Sequence, residues 1–280
     1  MDSEKKGAAS RRVVYLREEG TLRFEVQVCR FDPHARHRHF HPERALAFIR
    51  EGTSRTVLGT TEHLLGPGML VHFPPGTPHS CDPQDPSSWR YDMLFLQGPE
   101  EPLPFGGPGA VLLPPEERKP LGRLFRELAS LRLSPTDREH RFYELLERAA
   151  ALLGEGIPLE PPLRDPRMLP VEALLRERFR EGVSLEELAD RAGLSRFHLV
   201  RAFRRHAGMP PHAFQTALRI NAAKDLLRQG MGVQRVAQEM GFFDQSHFAA
   251  AFRERCGVRP RDYARGEQVF PIPEGPKGAS

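Results

Sequence analysis

The sequence predicts two folded domains in one chain: an all-β barrel or sandwich extended by a helical hairpin, then an all-α domain that writes one unit twice. Three observations carry this. The 280 residues are long for one domain and ample for two cores. Apolar residues recur with period 2 as far as about Gln97, and with helical period from about Pro115 onward. Finally, "GLSRFHLVRAF" from Gly193 to Phe203 is nearly repeated by "GFFDQSHFAAAF" from Gly241 to Phe252.

Composition narrows the classes. No run of about 18 apolar residues is present, and the opening "MDSEKKGAASRR" is polar without the apolar middle of a signal peptide. A cytoplasmic protein with no membrane partner is expected. Cys29, Cys81 and Cys256 are scattered and not at metal-clip spacing, so they read as reduced packing residues. Charge is uneven. Val183 to Arg265 holds 14 Lys and Arg against 8 Asp and Glu, and the remainder 27 against 29. A basic domain joined to a slightly acidic one suits a polyanion such as nucleic acid, although a solvated charged surface gives the same balance.

Residues 12–110 contain short β-type segments, "VVYL", "LRFEVQVC", "ALAFI", "RTVLG", "MLVHF" and "YDMLFL", punctuated by "GPG" and "PPGTP", which point to antiparallel strands rather than alternating β and α units. Residues 115–153 change period: Leu121, Leu124, Phe125, Leu128 and Leu131 form one stripe, and Leu145, Leu146 and the Ala149 to Leu153 run a second. Two helices joined at "SPTD" make a hairpin suited to dimerisation or signal coupling; its stripe would equally serve to pack on the barrel's outer face. Residues 154–168, with "GEGIPLEPPLRDP", read as a linker. Residues 169–265 are helical, and 266–280 read as a flexible tail.

Aligned on itself, the helical domain matches Ala189 to Ala237 and Gly193 to Gly241 at offset 48. At offset 49 it matches Leu199 to Phe248, Phe203 to Phe252, Gly208 to Gly257, Pro211 to Pro260 and Phe214 to Tyr263. One residue is inserted in the second turn. Each copy has a helix with a small inward residue, a glycine at its end, a short turn and a second helix with apolar residues four apart, which is how a helix-turn-helix is written. Ser184 with Glu187 forms a capping box, and Ser195 and Asp244 are suited to cap the second helices. Between the copies, "PHAFQTALRINAAKDLLRQG" predicts a helix of about 18 residues and about 27 Å, long enough to hold two heads roughly one DNA turn apart.

This stretch resembles the tandem helix-turn-helix domain of AraC/XylS transcription regulators through "SLEELADRAGLSRFHLVRAFRRHAGMPPHAF", "RINAAKDLL" and "GVQRVAQEMGFFDQSHFAAAFRERCGVRPRDY", the last ending in the family's G-x-x-P-x-x-Y at Gly257, Pro260 and Tyr263. In such a head the second helix enters the major groove. Leu199, Phe203, Phe248 and Phe252 then face the core, leaving Arg196, Phe197, Val200 and Arg201 toward bases in the first head and Gln245, Ser246, Ala249 and Ala250 in the second. Ser195 and Asp244 lie at the same helix ends. Arg201 is the strongest base reader by type, and Arg204, Arg205, Arg253 and Arg255 suit phosphate or solvent. Ala249 and Ala250 offer only methyls, so the second head should discriminate less.

The β domain is similar to the cupin pattern G-x5-P-x-G-x2-H through Gly68, Pro74, Gly76 and His79, with Pro83 standing where that motif has asparagine. Upstream, His37, His39, His41 and Glu43 resemble H-x-H-x3-E, in either the His37/His39 or the His39/His41 register. Histidines two apart share a strand face, and a third from a neighbouring strand would complete a nitrogen site for a divalent metal. A solvated, histidine-rich strand edge is the competing reading, since His34, His63 and His72 lie nearby. Trp89 and Tyr91 would line an effector pocket or pack the core.

The sequence thus predicts an N-terminal all-β cupin-like barrel with a helical hairpin, and a C-terminal all-α tandem helix-turn-helix domain. The implied function is a transcription regulator without catalytic residues, controlled by a small molecule or metal in the barrel. Its implied partners are double-stranded DNA, RNA polymerase and a second copy of the chain. A cupin metalloenzyme fused to a DNA-binding domain would instead turn over a small molecule. A regulator whose N-terminal domain merely dimerises would show no effector-dependent DNA affinity.

Overall fold

The computed structural model describes residues 12–14, 23–30, 38–58, 61–85, 87–97, 109–130, 133–154, 157–158 and 165–265. His37 and the tail 266–280 lie outside them.

A seven-stranded antiparallel sheet runs in the order β1 (Arg12–Val14), β2 (Arg23–Arg30), β8 (Arg90–Gln97), β3 (Arg44–Glu51), β6 (Met69–Phe73), β9 (Gly109–Leu112) and β10 (Ile157–Pro158). A three-stranded sheet runs β5 (Thr61–Leu65), β4 (Ser54–Leu58), β7 (His79–Pro83). The central strands bury both faces. Ala45, Ala47 and Ile49 of β3, with Tyr91, Met93 and Phe95 of β8, join Leu58, Phe73 and Trp89 inside the barrel. The intervening Leu46, Phe48 and Leu94 point the other way, as period 2 demands.

That outer face is covered by the hairpin α1 (Pro115–Leu128) and α2 (Pro135–Gly154). Leu121, Leu124, Phe125 and Leu128 of α1 and Phe142, Leu145, Leu146 and Ala149 of α2 share one cluster with Phe24, Val26, Leu46 and Phe48. The leucine stripe is therefore consumed within the chain, and a dimer interface built on it is not available. The start of the expected linker also differs: Ile157 and Pro158 return to the sheet beside β9, because the β9 edge still carries unpaired backbone groups.

A 3₁₀ turn, Pro166–Met168, opens the helical domain with Asp165 as its cap. It is followed by α3 (Leu169–Glu177), α4 (Leu185–Ala192), α5 (Arg196–Ala207), α6 (Pro211–Arg228), α7 (Val233–Glu239), α8 (Gln245–Cys256) and α9 (Pro260–Ala264). The repeat builds two small cores. Leu188, Ala189, Leu199 and Phe203 pack in the first, and Val236, Ala237, Phe248 and Phe252 in the second. The helix α6 joins them, giving Phe214 and Ala217 to one and Ile220, Ala223 and Leu227 to the other. It is a rigid spacer because both of its halves are core.

Candidate nucleic-acid interface and effector pocket

The two heads form as their caps and glycines dictate. Ser184 accepts the Glu187 amide at 3.0 Å, Ser195 that of His198 at 3.4 Å, and Asp244 that of His247 at 2.7 Å. Gly193 and Gly241 take φ of 62° and 68°, where L residues are strained. At Gly241 a β-carbon would also lie 1.9 Å from the Arg180 carbonyl oxygen.

The register expected for the reading helices is observed. Leu199, Phe203, Phe248 and Phe252 are fully buried. Arg196, Phe197, Arg201 and Arg204 of α5, and Gln245, Ser246, Ala250 and Arg253 of α8, are exposed, as are the caps Ser195 and Asp244; Val200 and Ala249 are half-buried. Arg201 lies over the Phe197 ring, 5.6 Å from its centroid. Arg255 differs from expectation: it turns inward, with its guanidinium on the Ala213 carbonyl at 3.4 Å. Sequence reasoning missed Phe243, which is 93 % exposed beside the α8 cap. It is the inserted residue of the second turn, and that insertion was the legible signal.

The second feature is a cavity of about 50 Å³ inside the barrel, lined by His39, His41, His79, Trp89, Tyr91 and, from the helical domain, Lys224, Arg255 and Cys256. His39 and His79 are tied backbone to backbone, with amide-to-carbonyl bonds of 2.9 and 2.8 Å in the two directions. His41, two residues on, points the same way. The ring centroids of the three lie 4.4 to 5.0 Å apart. Nδ1 of His79 lies 2.9 Å from the Thr77 carbonyl oxygen, which can only accept, so that nitrogen carries the proton and Nε2 the lone pair. Burial holds His79 well below the usual histidine range, aided by His39 and Arg38 and opposed by the Thr77 bond; the ring is neutral. Of the expected ligand set, then, His39, His41 and His79 converge. Glu43 instead faces Arg228 at 3.6 Å. Burial raises its pKa, but Lys224 and Arg228 outweigh that and lower it.

The segment from Arg38 to His41 divides its side chains between the two domains. His39 and His41 face the barrel. Phe40 packs into the core of the first head, 5.2 Å from the Phe214 ring, and Arg38 donates to the carbonyl of Gly208, the C-cap of α5. Across the same seam, Arg228 of α6 pairs with Glu25 at 3.3 Å. Lys224 lies 5.7 Å above the Phe95 ring. Burial disfavours the charge of Lys224, yet Glu43, Cys256 and Glu25 raise its pKa on balance.

Comparison with known proteins agrees with this geometry. The family model of the AraC-like ligand binding domain matches residues 22–152, and that of a helix-turn-helix domain matches 188–266. The chain is 30% identical over 220 residues to the uncharacterized HTH-type transcriptional regulator YbfI of Bacillus subtilis, covering 75% of this chain and 80% of that one. It is 31% identical over 194 residues to the HTH-type transcriptional activator RhaS of Escherichia fergusonii, covering 69% of this chain and 62% of that one. The fold is shared with unsaturated fatty acid bound ToxT from Vibrio cholerae, at TM-score 0.51 and 13% identity over 90% of this chain and 98% of that one. A ligand-binding barrel ahead of paired DNA-reading heads defines an effector-controlled DNA-binding regulator. The chain belongs to the AraC/XylS family of transcription regulators.

Proposed function

We propose that occupancy of the barrel cavity sets the DNA affinity of the two heads by moving the seam between the domains. The observation that carries this is the shared wall: α6 and the end of α8 close a cavity whose other sides are barrel. Anything bound there touches the spacer and one reading helix directly, and it touches the other through Phe40 and Arg38. A ligand shifts an equilibrium only by contacts that differ between arrangements, and this wall differs whenever the domains move. The contacts assigned to DNA are bases for Arg196, Phe197, Val200, Arg201, Gln245, Ser246, Ala249 and Ala250, and phosphate for Arg204 and Arg253, with Ser195 and Asp244 at the helix ends.

The protein acts in the cytoplasm, where its DNA lies, as a regulator rather than an enzyme, and it contacts RNA polymerase when bound at a promoter. A homodimer through the hairpin would use its outer faces, where Tyr143 of α2 is exposed. Among the described residues no helix is long and apolar enough to cross a membrane.

The test of coupling uses Phe40→Ala and Arg228→Ala in the full chain, neither on the exposed face of α5 or α8. Phe40 also packs in the first head's core, so Arg228→Ala, which breaks the pair with Glu25, reports the seam more directly. Each should change specific DNA affinity by about fivefold or more, a coupling of roughly 1 kcal/mol. Unchanged affinity in both would mean that barrel and heads are energetically independent.

A further inference from the structure

We infer that the cavity binds a divalent transition-metal ion through His39, His41 and His79, and that the ion is the centre on which the effector is recognised. This rests on the reading of the cavity as the regulatory site, and it names the chemistry of that site. The donor atoms of the three side chains all lie within 4.8 Å of one another. Metal–nitrogen bonds of about 2.1 Å bring tetrahedral ligands to about 3.4 Å apart, a difference that small ring rotations close.

A second observation is independent of that spacing. His79 is buried, and its Nε2 has no hydrogen-bond partner, although an unpaired buried acceptor costs about 1–3 kcal/mol. The Nδ1–H bond to Thr77 is the arrangement that metal-bound imidazoles use, with one nitrogen fixed on a carbonyl and the other aimed at the ion. The indole nitrogen of Trp89, a residue of the same cavity wall, is likewise buried without a partner.

Three imidazole nitrogens suit zinc, iron(II), cobalt or nickel rather than calcium or magnesium. Among the described residues no carboxylate joins the set; Glu43 is drawn off by Arg228 and Lys224. The bound ion therefore keeps its full positive charge and open positions, and the effector class is a small anion or chelating oxygen compound. About 50 Å³ is the scale of an ion with a few small ligands.

The test loads the chelator-stripped, untagged full chain with cobalt(II). Bound metal is measured by atomic emission and by the visible ligand-field spectrum, and DNA affinity is measured with and without cobalt. One cobalt per chain is expected, with a ligand-field spectrum that weakens at least tenfold in affinity for His39→Gln and for His79→Ala. His39→Gln, at a less buried position, guards against misfolding of His79→Ala, and retained DNA binding reports the fold. Cobalt uptake equal in wild type and His39→Gln, or absent from both, would overturn the site. A bound cobalt that leaves DNA affinity unchanged upholds the site and removes the ion's part in control, whereas the seam itself is judged by Arg228→Ala.

Discussion

Arg201 stands on the open face of α5, braced by the Phe197 ring and opposite the buried Leu199 and Phe203. Its guanidinium can pair bidentately with guanine, worth about 1–3 kcal/mol of discrimination. Arg201→Ala should therefore weaken specific binding and relax preference at one base pair, while Arg253→Ala should weaken all sequences alike and flatten the salt slope by about one unit; titrations on matched and mutated duplexes separate the two. Asp92 offers a different reading at this scale. It is fully buried and 3.0 Å from Arg50 in a contact without hydrogen-bond alignment. Burial, against the pull of Arg50 and Arg126, pushes its pKa up to about 6 from an ordinary 3.8. Between those values the folded chain keeps a proton that the unfolded chain has lost, so stability falls as pH rises through that window. The fall approaches about 3 kcal/mol, at roughly 1.4 kcal/mol per unit. Urea unfolding from about pH 4 to 7 should show this slope in the wild type and a shallower one in Asp92→Asn; parallel curves would refute it.

At the scale of elements, the helical domain was legible because its signals are local. Caps, turn glycines and four-residue apolar spacing lie within one turn of what they determine. Gly241 is the sharpest case. Ala there would meet both a positive φ and the Arg180 carbonyl, and should cost the domain about 3 kcal/mol of stability in denaturant unfolding. A cost under about 1 kcal/mol would mean that the turn yields. The strands β5, β7 and β9 were not legible, since "TEHLL", "HSCDP" and "GAVL" carry little alternation and owe their state to their neighbours. The histidine register stayed open for the same reason, because it depends on the pairing of residue 39 with residue 79 across forty positions of chain. The hairpin's periodicity was legible, but what it covers was not. Phe125→Ala should destabilise the barrel domain by about 3–5 kcal/mol, seen in thermal unfolding, without altering sedimentation of the folded protein.

For the whole molecule, the sequence indicated two domains but not the seam between them. One trace was present. Lys224 falls between Ile220 and Leu227 on the buried stripe of α6, where a lysine is out of place unless an acid meets it from another element. Glu25 and Glu43 do so from the barrel. The seam packs the heads against the cavity wall, and the proposed coupling would run from His39 and His41 to the reading helices through Phe40, Arg38, Lys224 and Arg255.

The most direct test of the account is selection of random-sequence duplex DNA by the full chain, followed by sequencing. Enriched sites with two blocks of base preference about one helical turn apart are expected. The block read by α5 should be the stronger, and Arg201→Ala should blur it alone. Enrichment of a single block, or none above nonspecific binding, would contradict the reading of two heads held on α6.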